Sequence, residues 1–543
     1  MKVSAFTNGA PAQMSDILGA VRGNGNVRLT VADMLAAAGG VFNVKAYGAV
    51  GNGIANDTAA INAAIGAAGA AGGGIVYVPA GTYLVSNSNP SAINLNAKRC
   101  IYLQYDNVKL VGAGRGATII KQAASFEDDA HVIAIGSRSD TTVIVTGCGV
   151  SDLEVDGNRL NQTAEDEETI RHDGINVSTG CTYISLQRLY VHDTTYYGIG
   201  LQSDDFHNCL VEDARLENTG ADCLDWKDTS DANTGNVIRR CTAANYSLKD
   251  QEFLLSSQAG FDLRSGIHAE DLIVTMPDVE EVVGIRLQNG VGGTTPVQAT
   301  KVNNFRVFGS GAVNSVGVRV GTRYAGLRDG RVTGCADGYS LSDPDCRFSD
   351  LIAEDNDTGF RFWQNSGAGT EADIACLVGL IARDNSQNGF VYDSVDELTV
   401  LGADARNNAI GHDIRSGCTN IRILGGSATG NSSSNITDNG TSSIIENVSG
   451  FRTKSIRSGT AAIDSTGIKT ITIAHGLNVT PGINEVSLTL RRNTNVTDWT
   501  YGLLMVDGVD ATNITVKLNV TTASATAGAL ITVVATTHSK TPA

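Results

Sequence analysis

Gly174-Ile175-Asn176-Val177, Gly198-Ile199-Gly200-Leu201, Cys223-Leu224-Asp225-Trp226 and Gly260-Phe261-Asp262-Leu263 state one phrase four times: a small residue, an apolar one, an open position and a second apolar one. Alternation with period two puts the apolar side chains on one face of a strand and the open position on the other. The phrase returns as Gly284-Ile285-Arg286-Leu287, Gly317-Val318-Arg319-Val320, Gly338-Tyr339-Ser340-Leu341, Gly359-Phe360-Arg361-Phe362, Gly389-Phe390-Val391-Tyr392 and Gly411-His412-Asp413-Ile414. Successive starts lie 24, 25, 37, 24, 33, 21, 21, 30 and 22 residues apart. A strand-and-turn unit recurring every 20 to 35 residues or so predicts an all-β solenoid, a right-handed parallel β-helix.

The rest of the composition agrees. A chain of 543 residues is too long for one ordinary core, so an array is expected. Its 62 glycines against 8 prolines suit short strands joined by tight turns. A net charge of −17 argues against nucleic acid, because phosphate binding needs a basic face. The ten cysteines show no CxxC and no zinc spacing, and are read as reduced interior residues. No run of about 20 apolar residues would span a membrane, and residues 1–16 lack the apolar core of a signal peptide. The expectation is a protein made in a cytoplasm without export.

Three domains are expected. Residues 1–39 form a small leader with a short helix over 29–38. Residues 40–450 form the β-helix, and the Ser/Asn/Thr/Gly tract at 427–450 reads as its neck. Residues 451–543 alternate as a small C-terminal antiparallel β-sandwich, with strands at 470–473, 485–490, 514–518 and 530–534. Before the first coil, Asn56-Asp57-Thr58 followed by Ile61 and Ile65 predicts a capping helix that covers the open end of the solenoid.

The run Tyr47-Gly48-Ala49-Val50-Gly51-Asn52-Gly53, Asn56-Asp57-Thr58-Ala59-Ala60-Ile61 and Gly73-Gly74-Ile75-Val76-Tyr77-Val78-Pro79-Ala80-Gly81-Thr82-Tyr83 resembles the N-terminal signature of the pectate-lyase-like β-helix superfamily. Asn52 and Asn56 stand where that signature has aspartates. Leader, β-helix and β-rich tail together resemble the layout of bacteriophage tailspike depolymerases. That resemblance implies a virion-attached protein that binds and cleaves a bacterial capsular or exopolysaccharide. It also implies a homotrimer and a leader that docks on a phage tail or baseplate protein. The alternatives are a non-catalytic adhesin on the same fold and a bacterial lyase or epimerase.

In the phrase, the open position writes a column on the outside of the coils, and rungs stack about 4.8 Å apart. Asp225 and Asp262 are therefore expected as stacked, outward neighbours with Lys227 and Arg264 beside them. Two carboxyls so close do not ionise independently, and one with a raised pKa can serve as general acid. Asp222, at the corner before the strand, and Glu252, in the longest insert, join them as catalytic candidates. Arg286, Arg319 and Arg361 recur in the same column and suit the carboxylates of an acidic polysaccharide. His192, Tyr197 and Trp363 are candidates to contact sugar rings. Asp173 and Asp222 also match part of the polygalacturonase motifs, but Ala221 replaces a third aspartate and no GHG or RIK phrase follows. No cofactor is expected unless the chemistry is that of a calcium-dependent lyase, for which aspartates are suitable hard ligands.

Overall fold

The computed structural model describes residues 17–22, 25–30, 40–88, 98–124, 130–137, 143–162, 172–178, 180–202, 205–227, 235–248, 258–264, 266–288, 300–322, 324–342, 346–363, 376–451, 454–477, 480–492, 499–524 and 530–538. It divides into two compact units, Met1–Gly326 and Leu327–Ala543. The leader is not the helix expected at 29–38. Ile17–Arg22 and Gly25–Thr30 form an antiparallel hairpin, so Leu29 and Thr30 end a strand, and 31–39 fall outside the described residues. Val27 and Leu29 alternate with Asn26, Arg28 and Thr30, the strand period rather than the helical one.

In the first unit the repeated phrase forms one parallel sheet. Arg99–Leu103, His131–Ile135, Ile175–Ser178, Ile199–Gln202, Leu224–Lys227, Ala259–Arg264, Val283–Gln288 and Val316–Gly321 pair in that order. Ile175, Ile199, Leu224, Phe261, Ile285 and Val318 are aligned in register and fully buried, forming the spine of the interior. Removing such a side chain from a packed core costs about 2–5 kcal/mol, so the register is strongly fixed. Each coil returns through a second set of parallel strands, among them Gly149–Asp156, Ser185–Thr194, Ile267–Thr275 and Lys301–Phe308. A left-handed residue bends that second side in each coil: Asp152, Arg188, Asp213, Arg240, Asp271 and Asn304.

The helix Thr58–Ala70 buries Ile61, Ala64, Ile65 and Ala68. Its Asn62 pairs with the backbone of the first strand: Nδ2 donates to Cys100 O at 2.8 Å and Oδ1 accepts from Tyr102 N at 3.0 Å. The helix thus satisfies a strand edge that would otherwise be open, which is what a cap must do. Asp57 does not cap the helix with its side chain. Its carboxylate instead accepts the N–H groups of Val50 and Gly51 at 2.5 and 3.0 Å and closes the preceding glycine turn.

In the second unit Asp337–Leu341, Thr358–Trp363, Asn388–Asp393, Ile410–Ile414 and Ser434–Asp438 pair in parallel. The stretch 427–450, expected as a neck, forms the strands Ser427–Thr429, Ser434–Asp438 and Ile444–Glu446. Ala428, Ile436 and Ile445 point inward there, so a polar stretch still supplies the few buried residues that a coil needs. Beyond it two three-stranded antiparallel sheets share a core of Ile471, Ile473, Ile514, Val516, Leu518, Ile531 and Val533. The expected strands all lie in these sheets, together with Lys454–Ala462 and Thr500–Val509, which glycine and polar residues hid in the sequence. All nine cysteines with described side chains are free and buried.

Candidate active site

Asn176, Gly200, Asp225, Asp262, Arg286 and Arg319 follow one another across the sheet of the first unit, each in register with the next. The stacked acid pair is present. It is not on the surface: Asp225 and Asp262 are both 0 % exposed. The long side chains two residues further on fold over the column. Lys227 Nζ lies 3.0 Å from Asp225 Oδ2, Gln202 Nε2 donates to that same oxygen at 3.3 Å, and Arg264 Nη2 donates to Asp262 Oδ2 at 3.0 Å. Gln288 Nε2 donates to both oxygens of Asp262, at 2.9 and 2.7 Å.

Arg286 is half of the reason that Asp262 stays ionised. Its Nη2 donates to Asp262 Oδ2 at 2.9 Å and lies 3.7 Å from Asp222 Oδ1. Burial pushes the Asp262 carboxyl upward, but the guanidiniums of Arg286 and Arg264 overcome it and hold the group below the ordinary carboxylate range. The neighbours go the other way. Burial pushes Asp222 up to about 8, against Arg286 and with the help of Asp225 and Asp262. Burial and then the charge of Asp262 raise Asp225. One carboxyl held toward the ionised form and two pushed toward the protonated form thus stand with three cationic side chains.

Tyr197 belongs to the same cluster. Lys227 Nζ donates to its hydroxyl at 2.9 Å, and that hydroxyl donates to Tyr196 at 3.2 Å. Burial, followed by the charges of Asp225 and Asp222, raises the phenol well above its ordinary value, so Tyr197 keeps its proton.

Asp173 was no first choice from the sequence, yet it stands in this cluster. Its Oδ2 accepts from Asn176 Nδ2 at 2.7 Å, its N–H donates to His131 Nδ1 at 2.9 Å, and burial pushes its carboxyl up to about 8. Two sequence signals point to it: its partial match to the polygalacturonase motifs and its place directly before a repeat, Asp173-Gly174, matched by Asp222-Cys223 two coils on.

The remaining candidates lie elsewhere. His192 is on the other side of the coil, in the strand Ser185–Thr194, so it does not join the aspartates. There its Nδ1 bonds Asp193 at 2.7 Å, its Nε2 bonds Glu154 at 3.1 Å, and its ring stacks on Tyr190. Burial lowers its pKa, but these two carboxylates outweigh burial and raise it. Arg286 is not available to a polymer as a surface cation, because Asp262 and Asp222 engage it. Arg361, in the second unit, is held by both oxygens of Asp337 at 2.7 and 3.0 Å, so it too is internally paired. Arg319 is half-buried in the column next to Arg286. Trp363, in the second unit, donates its indole N–H to Ser340 at 3.0 Å. Glu252 lies outside the described residues.

One oxygen from each of Asp222, Asp225 and Asp262 comes within 4.8 Å of the others, as metal ligands would. The donors do not fit a resident Ca²⁺, because Lys227, Arg264 and Arg286 already neutralise them and two of the three carboxyls are pushed toward the protonated form. Asp156, His192 and Asp193 gather equally closely. They too are engaged, Asp156 by Lys121 at 2.5 Å and His192 through both ring nitrogens.

Residues 41–261 match the family model described as rhamnogalacturonase A/epimerase, pectate lyase-like. The mannuronan C5-epimerase AlgE2 of Azotobacter vinelandii is 34% identical over 186 residues, which is 33% of this chain and 17% of that protein. Alginate lyase 7 of the same organism is 32% identical over 182 residues, 33% of this chain and 20% of the relative. The chain therefore spans a fifth or less of the length of these relatives. A mutant tailspike protein of E. coli bacteriophage HK620 superposes with a TM-score of 0.52 at 12% identity, over 97% of each chain, a likeness of fold. The matched signature and the coil geometry agree on the fold: the chain is a right-handed parallel β-helix protein whose residues 41–261 are similar to the pectate-lyase-like family.

Proposed function

We propose that the chain acts on an acidic polysaccharide, which it binds over the column of the first unit and cleaves by proton-transfer chemistry. The observation that carries this reading is the split in protonation within one cluster. Asp262 is held ionised while Asp222, Asp225 and Asp173 are pushed toward the protonated form. Neighbouring titratable groups driven apart by their surroundings are a mark of acid–base sites. Lys227 and Arg264 are the partly accessible cations above the carboxyls, and they suit an anionic sugar substituent. Asp222 and Asp225 are assigned as proton carriers, and Tyr197 as a donor to a sugar oxygen. Relatives named as a mannuronan epimerase and an alginate lyase support polysaccharide as the substrate class.

Attachment to a phage tail through the leader and assembly as a homotrimer are part of the same proposal. They are supported by the superposition on a tailspike along nearly the whole chain. Light scattering on the full chain tests the trimer, with a monomeric mass counting against it.

A second reading is a binding protein that leaves the polymer intact. The complete burial of Asp225 and Asp262 favours it, since a reacting group must meet its substrate. Incubating the purified chain with a panel of acidic capsular and exopolysaccharides separates the two. Shorter chains with new ultraviolet absorbance indicate elimination, and shorter chains without it indicate hydrolysis. Unchanged length with altered sugar configuration in the proton NMR spectrum indicates epimerisation. Saturable binding to an unchanged polymer would replace the enzymatic reading with the second one.

A further inference from the structure

Gly200 occupies the column between Asn176 and Asp225, where every other coil of the first unit from Asn176 onward carries a polar or charged side chain. Its backbone does not require glycine, because its φ lies outside the left-handed region. Space does. A Cβ at position 200 would lie 2.5 Å from Asp173 Oδ2, and 3.1 Å from Asp173 Cγ and from Gln202 Nε2. The Asp173 carboxyl therefore rests over the bare backbone of the next coil. Asn176 holds one of its oxygens there at 2.7 Å, while the other, Oδ1, is buried without a hydrogen-bond partner among the described residues. Buried polar atoms are nearly always paired, so an orphaned carboxyl oxygen beside a cluster of acids and cations calls for a function. The charges that bear most on this carboxyl are those of Asp225 and Lys227, the two groups at the centre of the cluster.

We propose that Gly200 is a positioning residue: its missing side chain is the gap that seats Asp173 as the fourth carboxyl of the site, beside Asp225 and Lys227, with Oδ1 offered to an oxygen of the bound sugar. The role toward a sugar rests on the polysaccharide-acting reading above; the seating of Asp173 by Gly200 does not. The phrase at Gly200 is then more than a variant of the repeat. It is the one coil of the column in which a carboxyl from the turn of the preceding coil takes the place of the strand's own side chain.

The test is a mutant cycle on the full chain with Gly200→Ala, Asp173→Ala and Asp173→Ala/Gly200→Ala, read first by thermal unfolding. Gly200→Ala should lower Tm by about 3 °C or more, because a buried carboxyl must move. Adding Asp173→Ala removes the obstacle, so the double variant should melt above Gly200→Ala. Should Gly200→Ala fail to fold, recovery of a folded double variant is the same result in stronger form. The second readout is turnover of the polysaccharide found to be a substrate. Asp173→Asn and Gly200→Ala should each lower kcat at least about tenfold while changing the Kd for polymer by less than about threefold. Gly200→Ala placed on Asp173→Asn should lower kcat no further. A Gly200→Ala variant with wild-type Tm, or effects that add in the double variant, would overturn the seating. Wild-type kcat in Asp173→Asn would overturn the role at the site. If the wild-type chain turns over no polysaccharide, the functional reading falls and the sugar role with it, while the Tm cycle still decides the seating.

Discussion

The same four-residue phrase does opposite work in the two units. In the first, the interior is mostly aliphatic and the open positions hold charge: Asp225, Asp262 and Arg286 lie buried under Lys227, Arg264 and Gln288. In the second, the polar and aromatic investment is inside. Tyr339, Phe360, Phe390 and His412 stack at centroid distances of 4.7, 5.0 and 4.6 Å. At the turns Asn356, Asn385, Asn408 and Asn431 form a ladder in which each Oδ1 accepts the backbone N–H of the preceding asparagine, at 3.1, 3.1 and 3.0 Å. His412 fits such an interior only as a neutral ring, and burial pushes its pKa down to about 3. A ladder of amides and stacked rings satisfies every coil in the same way and stabilises the array. A cluster of unlike charges, differing from coil to coil, is a poor way to stabilise an array, because desolvation offsets much of the attraction between buried charges. On the proposed reading, the first unit is therefore the place to look for chemistry and the second serves as scaffold.

Substitutions can break that contrast or sharpen it. The largest effect is expected at Asp222 and Asp225. Asp222→Asn and Asp225→Asn preserve shape and remove the proton, so initial rates on the substrate polysaccharide should fall by roughly 10²- to 10⁴-fold with the circular dichroism spectrum unchanged. In the second unit, Phe390→Ala opens a cavity in the aromatic stack. Denaturant titration should show a loss of about 3–5 kcal/mol, with turnover per folded molecule unchanged. Asn385→Ala is expected to do less. It leaves the Asn356 N–H and the Ala353 carbonyl without their partner, at about 1–3 kcal/mol for each buried group so exposed.

A further effect is a slope. The fold favours the protonated form of Asp173 and Asp222, whose pKa values are raised to about 8. Their contribution to stability is complete below the unfolded value near 4 and is lost as pH rises through about 8. Asp262, held low by Arg286 and Arg264, contributes in the opposite sense and is lost only in acid. Tm of the wild-type chain should therefore decline between about pH 5 and pH 8.5, and Asp222→Asn should flatten the decline. An equal slope in both proteins would count against a protonated Asp222.

The fold was legible because its cause is local and repeated. Ile199, Leu224 and Phe261 alternate with open positions in every coil, and a slip of one residue would expose all of them. The pairing of Asp225 with Asp262 followed from the same register. Their burial did not, because it is produced by Lys227, Arg264 and Gln288 bending back over the column, and side-chain direction two residues away is not a periodic signal. Asp173 was obscured for a related reason: its carboxyl acts on the coil after its own, across the gap at Gly200. The strands after Ser427 were hidden by composition, since Ser, Asn and Thr in turns outnumber the three inward residues that hold the coil.

The most direct test of the central claim sets Asp225→Asn beside Asn385→Ala, both assayed on the same polysaccharide at a temperature where each is folded. The account predicts that Asp225→Asn melts close to the wild type and loses at least about a hundredfold in turnover, whereas Asn385→Ala melts earlier and turns over normally. Wild-type turnover in Asp225→Asn, or a loss in Asn385→Ala as large as in Asp225→Asn, would contradict it.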